Sequence, residues 1–515
     1  MSALVDFPEV ADRLGPDVAD ALADWAGLND RTVRLLLPFW LPPGQGHTGA
    51  VLAALEVAPP PRVVILKVLP QGAHRREPGI HTRALRLSPP GFAAGHLVEQ
   101  AFAPHPSKNG GALMFQGVAG GGLREAVPLS ALEGQQFADT CEAVTRGVLT
   151  EWNTAAKAPE RGRSSAFLRQ ELHSGGTGTG ELEAWRRRAG LSGAHEPWFD
   201  AGDRHLPNPY FLVEGHPELP DPEVSILSGL THGDLHLDNI VVPVRRGVAA
   251  GDTYRLIDLG AFRAEGPLSC DVAMLLLSAL EPVVREPLPQ VQRQALLDHV
   301  VDPRPEHAER LPPDAVRRVD CVVETAADVM AQWQEPWRDQ LLLSVVAGAL
   351  TFTTFSGLTP ESRDWYVLLA AHAGGALLAS RGYAGSGSAR PSPPAAPGSG
   401  AAPAFPPVRV RTAQGPTSAA GSGAGRRRSL VEALEGLPAI TDPGSREAVL
   451  RHLPRQLATS IPRSAVLRVE VLGLVDTCLV FPDGLRALWE AIRTVDTGTG
   501  QLDAVFAVLQ EMPEF

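Results

Sequence analysis

The sequence predicts an α+β chain of two lobes, a small antiparallel-sheet lobe followed by a mostly helical one, with a separate small all-α bundle at the C-terminal end. Three observations carry this. Residues 32–116 hold short β-rich apolar runs separated by Gly and Pro turns. Residues 129–380 are dominated by apolar positions at helical spacing. Residues 382–428 are rich in Gly, Ser, Pro and Ala with almost no aromatic residues, and helical periodicity resumes beyond them. A chain of 515 residues suits several domains at about 150 residues each. The expected divisions are 1–30, an N-terminal helical segment; 31–116, the sheet lobe; 117–381, the helical lobe; 382–428, a disordered linker; and 429–515, the bundle.

The composition of 44% hydrophobic and 20% charged residues allows a sizeable core. A net charge of −12 argues against a general nucleic-acid binder or a binder of anionic membranes. Cys141, Cys270, Cys321 and Cys478 are far apart without metal-binding spacing, as suits reduced, buried thiols. The first residues lack a basic leader. The apolar run Leu341–Leu350 falls short of the roughly 20 residues a membrane span needs. The expectation is a soluble, cytoplasmic protein. Only Lys67, Lys108 and Lys157 are lysine among 46 basic residues, so a lysine inside an apolar strand needs a reason.

Residues 1–30 read as one or two amphipathic helices and Thr32–Trp40 as a strand that Pro38 places at an edge or ends early. Gly44, Gly46 and Gly49 form a GxGxxG pattern lying between two strand-like runs. That context disfavours a strand-to-helix dinucleotide crossover and favours a hairpin loop covering phosphates, although Gly and Gln also make ordinary turns. Val63–Leu69 is a β-rich run with Lys67 inside it. Arg76–Leu85 reads as a helix start with Pro78 near its first position. Ala112–Gln116 is a short apolar strand. Leu129–Trp152, residues 165–191 (broken by Gly175–Gly180), 315–333, 336–356 and 362–380 read as helices.

The most informative stretch is Thr231-His232-Gly233-Asp234-Leu235-His236-Leu237-Asp238-Asn239, followed by an apolar hairpin and Ile257-Asp258-Leu259-Gly260. Phosphoryl transfer needs positioning and charge neutralisation more than covalent chemistry. Asp234 suits the acceptor of a substrate hydroxyl proton. Mg²⁺ prefers oxygen and takes few protein ligands beside phosphates and water; Asn239 and Asp258, brought together by the hairpin, suit it. His232, grouped with Asp234 in the catalytic segment, reads as a buried scaffold. A competing reading puts His232, Asp234, His236 and Asp238 on one face of a strand as a Zn²⁺ site, but leaves the glycine and the downstream Asp-x-Gly unexplained.

On these motifs the chain resembles the aminoglycoside phosphotransferase and choline-kinase branch of the protein-kinase-like fold. The resemblance covers roughly residues 30–380 and is most specific over 230–273. It implies ATP or GTP and Mg²⁺ as cofactors and a hydroxyl acceptor, either a small molecule or a protein. It implies that Lys67 meets the phosphates, that a helix glutamate supports the lysine (Glu77, with Glu99 as second candidate), and that Ala112–Gln116 leads into a hinge where the base binds backbone. It further implies that Asp271, within Gly266-Pro267-Leu268-Ser269-Cys270-Asp271-Val272-Ala273, bonds to the catalytic loop. The chain lacks the long activation loop and Ala-Pro-Glu of protein kinases. A nucleotide-binding pseudokinase without turnover is the alternative.

Arg426-Arg427-Arg428 closes the linker, and Ser429 suits a helix cap. Expected helices follow at Ser429–Leu437, Ser445–Leu457, Ala465–Val480, Gly484–Val495 and Thr499–Met512. Without clustered His, Cys or paired carboxylates, the unit reads as an interaction module. Leu430–Pro438, Asp442–Leu453 and Val475–Leu488 resemble the effector-associated domains of bacterial conflict systems. This implies a protein partner carrying a like helical domain.

Overall fold

The structure, a computed structural model, describes residues 10–36, 51–70, 76–154, 158–174, 196–383 and, with breaks, 430–510, apart from 12–13, 109, 120–125, 202–203, 287 and 356. The chain divides into two compact units, residues 1–402 and 403–515, at a point inside the expected linker.

The first unit begins with a sheet. β1 (Thr32–Leu35), β2 (Val51–Ala58), β3 (Arg62–Leu69), β4 (Gln100–Pro106) and β5 (Ala112–Gly117) pair antiparallel in the order β1-β2-β3-β5-β4. β3 takes the centre because its Val, Ile and Leu residues fit a pleated surface covered on both faces. Lys67 lies opposite Leu52 on one side and Met114 on the other; Leu66 lies opposite Ala53 and Phe115. Val64, Leu66 and Phe115 pack with helix α1 (Pro16–Leu28). Trp25 of α1 stacks on Phe115 at 4.2 Å between ring centroids. The N-terminal helix, expected as a segment of its own, therefore shares one core with the sheet. A helix of this length is marginal in water alone and needs a surface on which to bury Leu22 and Trp25. β1 stops at Leu35, short of Trp40. Gly44, Gly46 and Gly49 lie outside the described residues.

α2 (Glu77–Leu87) carries Pro78 in its first turn and follows the sheet. The helical lobe is built on Gly134–Arg146, Leu268–Arg285, Pro313–Val329, Gln334–Phe352 and Pro360–Ser380, around buried Phe137, Leu276, Val322, Val346 and Leu369. The three expected late helices are present with ends shifted by a few residues. Leu268–Arg285 admits Pro282 only in its last turn. Gln290–Val301 is a helix that the residue pattern does not announce. Val291 on it is 65% exposed while Leu296 and Val300 are buried, which blurs the apolar stripe.

The second unit has its own core of Leu434, Ile440, Val449, Leu474, Leu485, Leu488, Ile492, Val505 and Leu509. Its described helices include Pro438–Thr441, Pro443–His452, Gly484–Val495 and Thr499–Gln510. Asp442 caps the second by accepting from the Ser445 amide at 2.7 Å. Most of Ala465–Val480 and 384–429, including Arg426–Arg428 and Ser429, lie outside the described residues. The four cysteines are buried free thiols. Among the described residues no helix is long and apolar enough to cross a membrane.

Candidate active site

The strand Ser228–Thr231 pairs antiparallel with Arg263–Pro267 and leads into His232. Two distant amides hold its approach. Asn153 accepts from Leu230 N at 2.8 Å and donates to Leu230 O at 2.9 Å; Gln340 does the same for Leu227 at 2.7 and 3.0 Å. The chain then turns at Gly233, whose φ is 81°. A Cβ there would sit 2.2 Å from Ala261 O, so both the left-handed backbone and the close approach require glycine. Asp271 is buried in the first turn of Leu268–Arg285. It accepts from His232 N at 2.7 Å and from Gly233 N at 2.9 Å. Burial pushes its pKa up, and His232 with the two amide bonds pulls the other way.

His232 donates from Nε2 to Ile257 O at 2.7 Å and accepts at Nδ1 from Asp234 N at 3.3 Å. Both ring nitrogens are spent on backbone, so His232 ties the loop to the hairpin and does not face a substrate. Its ring positions Asp234, whose side chain is 46% exposed. The Zn²⁺ alternative required residues 232–238 to alternate along a strand. The strand ends at Thr231, and a loop and a short 3-10 turn at Leu237–Asn239 follow. Asp238 accepts from Ser130 Oγ instead. Among the described residues no group of three or more His, Cys, Asp and Glu is placed to hold a metal.

Ile240–Arg245 and Arg255–Leu256 form the expected hairpin. It closes at the site: Ile257 N donates to Asn239 O at 3.0 Å, which puts Asn239 beside the peptide preceding Asp258. Asn239 donates through Nδ2 to Asp234 O at 2.8 Å, leaving its Oδ1 as the amide's acceptor. Asp258 has φ 58° and ψ 54°, a left-handed conformation that Asp tolerates better than most residues. Gly260 packs on α2, where a Cβ would sit 3.0 Å from Glu77 Cγ.

Lys67 Nζ lies 2.6 Å from Glu77 Oε1 and 2.9 Å from Asp258 Oδ1. The sheet, α2 and the Asp-x-Gly turn thus meet at one ammonium. Glu99 instead pairs with Arg62, the first residue of β3. Burial lowers the Lys67 pKa, but Asp258 and Glu77 outweigh it and the net shift is upward. Burial raises the Asp258 pKa, and Lys67 outweighs that, so its net shift is downward. A depressed carboxyl stabilises the fold above its unfolded value of 3.8, and this is lost as pH falls through the lower folded value. A raised lysine stabilises below 10.5, and this is lost as pH rises through the higher folded value. The Lys67–Asp258 pair therefore contributes fully between about pH 4 and about pH 10.5.

Behind it, His81 is fully buried and uses Nε2 on Val98 O at 2.9 Å. Burial pushes its pKa down to about 4. The folded state then keeps His81 neutral while the unfolded chain binds a proton below 6.5. Its stability is present above 6.5 and falls as pH drops towards 4. The expected loss is about 3 kcal/mol at about 1.4 kcal/mol per pH unit. Urea unfolding at pH 7 and pH 4.5 checks this, with the part of the slope due to this group absent in His81→Gln.

The donor set fits a hard cation. Asp258 is held ionised, uses Oδ1 on Lys67, and keeps a side chain 35% exposed. Asn239 keeps its oxygen for a second ligand. One carboxylate and one amide are the kind of protein ligands a Mg²⁺ ion would take, with phosphates and water completing its shell. The pattern reading missed Asn153, Gln340, Ser130 and His81. Each acts through a single side chain far from the motif in sequence, and no local spacing marks it.

Known proteins offer these comparisons. A protein from Ralstonia eutropha JMP134 assigned as an aminoglycoside phosphotransferase aligns over 70% of this chain and 98% of its own, at 12% identity and a TM-score of 0.35. A microcompartment-associated aminopropanol kinase aligns over 70% and 98%, at 15% identity and a TM-score of 0.28. No curated protein matches the chain. At its C-terminal end, over residues 431–510, the chain is similar to the family described as effector-associated domain 2.

Proposed function

We propose that residues 31–381 form a nucleotide- and Mg²⁺-dependent phosphotransferase acting on a hydroxyl acceptor, tethered to a protein-interaction domain. The observation that carries this reading is the buried Lys67 ammonium joining Glu77 and Asp258, with Asn239 bonded to the Asp234 carbonyl and, through its own carbonyl, to the amide of Ile257 just before Asp258. Lys67, held by Glu77, binds phosphate oxygens of ATP or GTP. Gly44, Gly46 and Gly49 are assigned to phosphate binding on their sequence pattern alone. Asp258 and Asn239 hold Mg²⁺, which when bound supplies charge neutralisation on the phosphates. Asp234 accepts the acceptor's hydroxyl proton as the new oxygen–phosphorus bond forms and the bond to the departing nucleoside diphosphate breaks. His232 and Asp271 keep Asp234 in place.

The C-terminal unit gives this chemistry an address. Its similarity over residues 431–510 to an effector-associated domain supports a protein partner carrying a like helical domain, in a bacterial conflict or signalling assembly. Asp234→Ala is expected to lower nucleotide turnover by about a hundredfold or more while leaving nucleotide binding within about twofold, since its carboxylate takes no part in the Lys67 trio. Turnover with candidate small-molecule and protein acceptors measures this. Equal inertness of wild type and variant, with nucleotide still bound, would establish the pseudokinase reading instead.

A further inference from the structure

Arg263 opens the strand Arg263–Pro267 and lies opposite Thr231, the last residue before His232. Its guanidinium grips Glu171 of the helix Ser164–Ser174 with two bonds, Nη1 to Oε1 at 2.6 Å and Nη2 to Oε2 at 2.9 Å. Nη2 also donates to Cys270 Sγ at 2.8 Å. Cys270 in turn directs its thiol to Asp271 Oδ1 at 3.8 Å, the oxygen that accepts from Gly233 N. Gly266 leaves room for this, since a Cβ there would sit 3.0 Å from Arg263 Nε. The Glu171 and Arg263 side chains are 8% and 20% exposed. Two carboxylates, Glu171 and Asp271, are thus buried around a single guanidinium. The bidentate pair satisfies Glu171, but packed apolar groups in place of a buried ion pair often serve stability as well or better. Asp271 gives the arginine a further reason. Burial raises the Asp271 carboxyl, while His232, the two amide bonds and Arg263 oppose this. His232 is neutral as bonded, with one nitrogen donating and the other accepting. Of these groups only Arg263 carries a permanent charge.

We propose that Arg263 is a positioning residue: through the Cys270 thiol its guanidinium holds Asp271 as the carboxylate that grips the amides of His232 and Gly233, and so fixes Asp234. This rests on the phosphotransferase reading, in which Asp234 is the base. An ionised Asp271 offers one acceptor oxygen to each amide. Once it is protonated, one oxygen carries a hydrogen that meets an amide hydrogen, and one of the two bonds is lost. Burial pushes the Cys270 thiol up, so the sulfur keeps its hydrogen for Asp271. The titratable and charged groups that face Asp271 are His232 from the loop, Cys270 from its own helix and Arg263 from the strand. Glu171 stands behind Arg263 and bonds to it, not to Asp271. Loss of the guanidinium raises the Asp271 carboxyl further, so the grip on the loop fails at a higher pH than in the wild type.

The pH dependence of kcat for nucleoside diphosphate release by the full chain tests this. Arg263→Met with Glu171→Leu removes the guanidinium without stranding Glu171. Its acid limb is expected to move up by about one pH unit, with the nucleotide KM within about twofold because the Lys67 trio is untouched. Arg263→Lys, which keeps the charge, is expected to hold the wild-type limb, and Glu171→Gln, which keeps the guanidinium, is expected not to raise it. Arg263→Gln with Glu171→Gln is a second neutral replacement where the apolar pair fails to fold, with the same upward move expected. A purely structural arginine would lower kcat at every pH alike. A folded neutral double variant with the wild-type limb, or a Glu171→Gln limb that rises as far, overturns the proposal and leaves the phosphotransferase reading intact. Hydrogen exchange over residues 231–235 reads the grip without turnover. On the acid side the His232 and Gly233 amides are expected to lose about tenfold protection in the double variant, the equivalent of one pH unit. A wild type without turnover overturns the phosphotransferase reading, and the exchange result still decides whether Arg263 holds the loop.

Discussion

Asp258→Ala is expected to lower nucleotide turnover on the order of 10⁴-fold, because it removes a proposed metal ligand and one arm of the Lys67 trio together. Asp258 Oδ1 is 2.9 Å from Lys67 Nζ, and Lys67 keeps the carboxyl ionised. Without the carboxylate the site keeps Asn239 as its remaining proposed protein ligand, too little charge to hold Mg²⁺ against a phosphate chain. The alanine also meets a backbone of φ 58° that Asp and Asn tolerate better. Asp258→Asn separates the two effects: it keeps the turn and the oxygen but loses the charge. Coupled measurement of nucleoside diphosphate release, with a Mg²⁺ titration, checks both variants. Asp258→Asn is expected to restore the melting temperature but not turnover. Turnover within tenfold of wild type in Asp258→Ala would remove Asp258 from the chemistry.

Lys67→Met is expected to destabilise the first unit by about 3–5 kcal/mol, the cost of leaving a buried carboxylate without its partner. Lys67 and Glu77 are 4% and 5% exposed and lie 2.6 Å apart, so neither ion can turn to water when the other is lost. The double variant Lys67→Met with Glu77→Leu is expected to recover most of that stability, since it replaces the pair with packed apolar groups. It is not expected to recover turnover, because the ammonium proposed to bind the phosphates is gone. Urea unfolding read against nucleotide turnover gives both quantities. A single variant as stable as wild type would mean that Glu77 is neutral in the folded state. The contrast between recovered stability and lost activity separates a merely structural lysine from a phosphate-binding one.

Legibility in the sequence followed distance along the chain. His232, Gly233, Asp234, Asn239 and Asp258 stood out as candidates in the residue pattern because one loop and one short hairpin bring them together. Glu77 and Glu99 were both open as partners of Lys67. The sheet sends Glu99 to Arg62 and α2 carries Glu77 to the lysine, a choice made by packing and not by spacing. Asn153 and Gln340, each clamping one residue of the approach strand across a large sequence separation, left no trace in the pattern. Neither did the fusion of α1 with the sheet through Trp25 and Phe115.

By itself the sequence determined the two-lobed α+β class, the separate helical unit, and the loop that carries Asp234 and Asn239 with the hairpin that leads on to Asp258. Periodicity and short-loop geometry are properties of neighbouring residues, and the backbone permits few alternatives there. The tertiary structure decided which carboxylates stand on Lys67, that His232 spends both nitrogens on backbone, and that Gln116 is buried on the lysine's face. These depend on side chains meeting across strands and helices far apart in the chain. Only burial, by removing water as the competing partner, makes each of those pairings decisive.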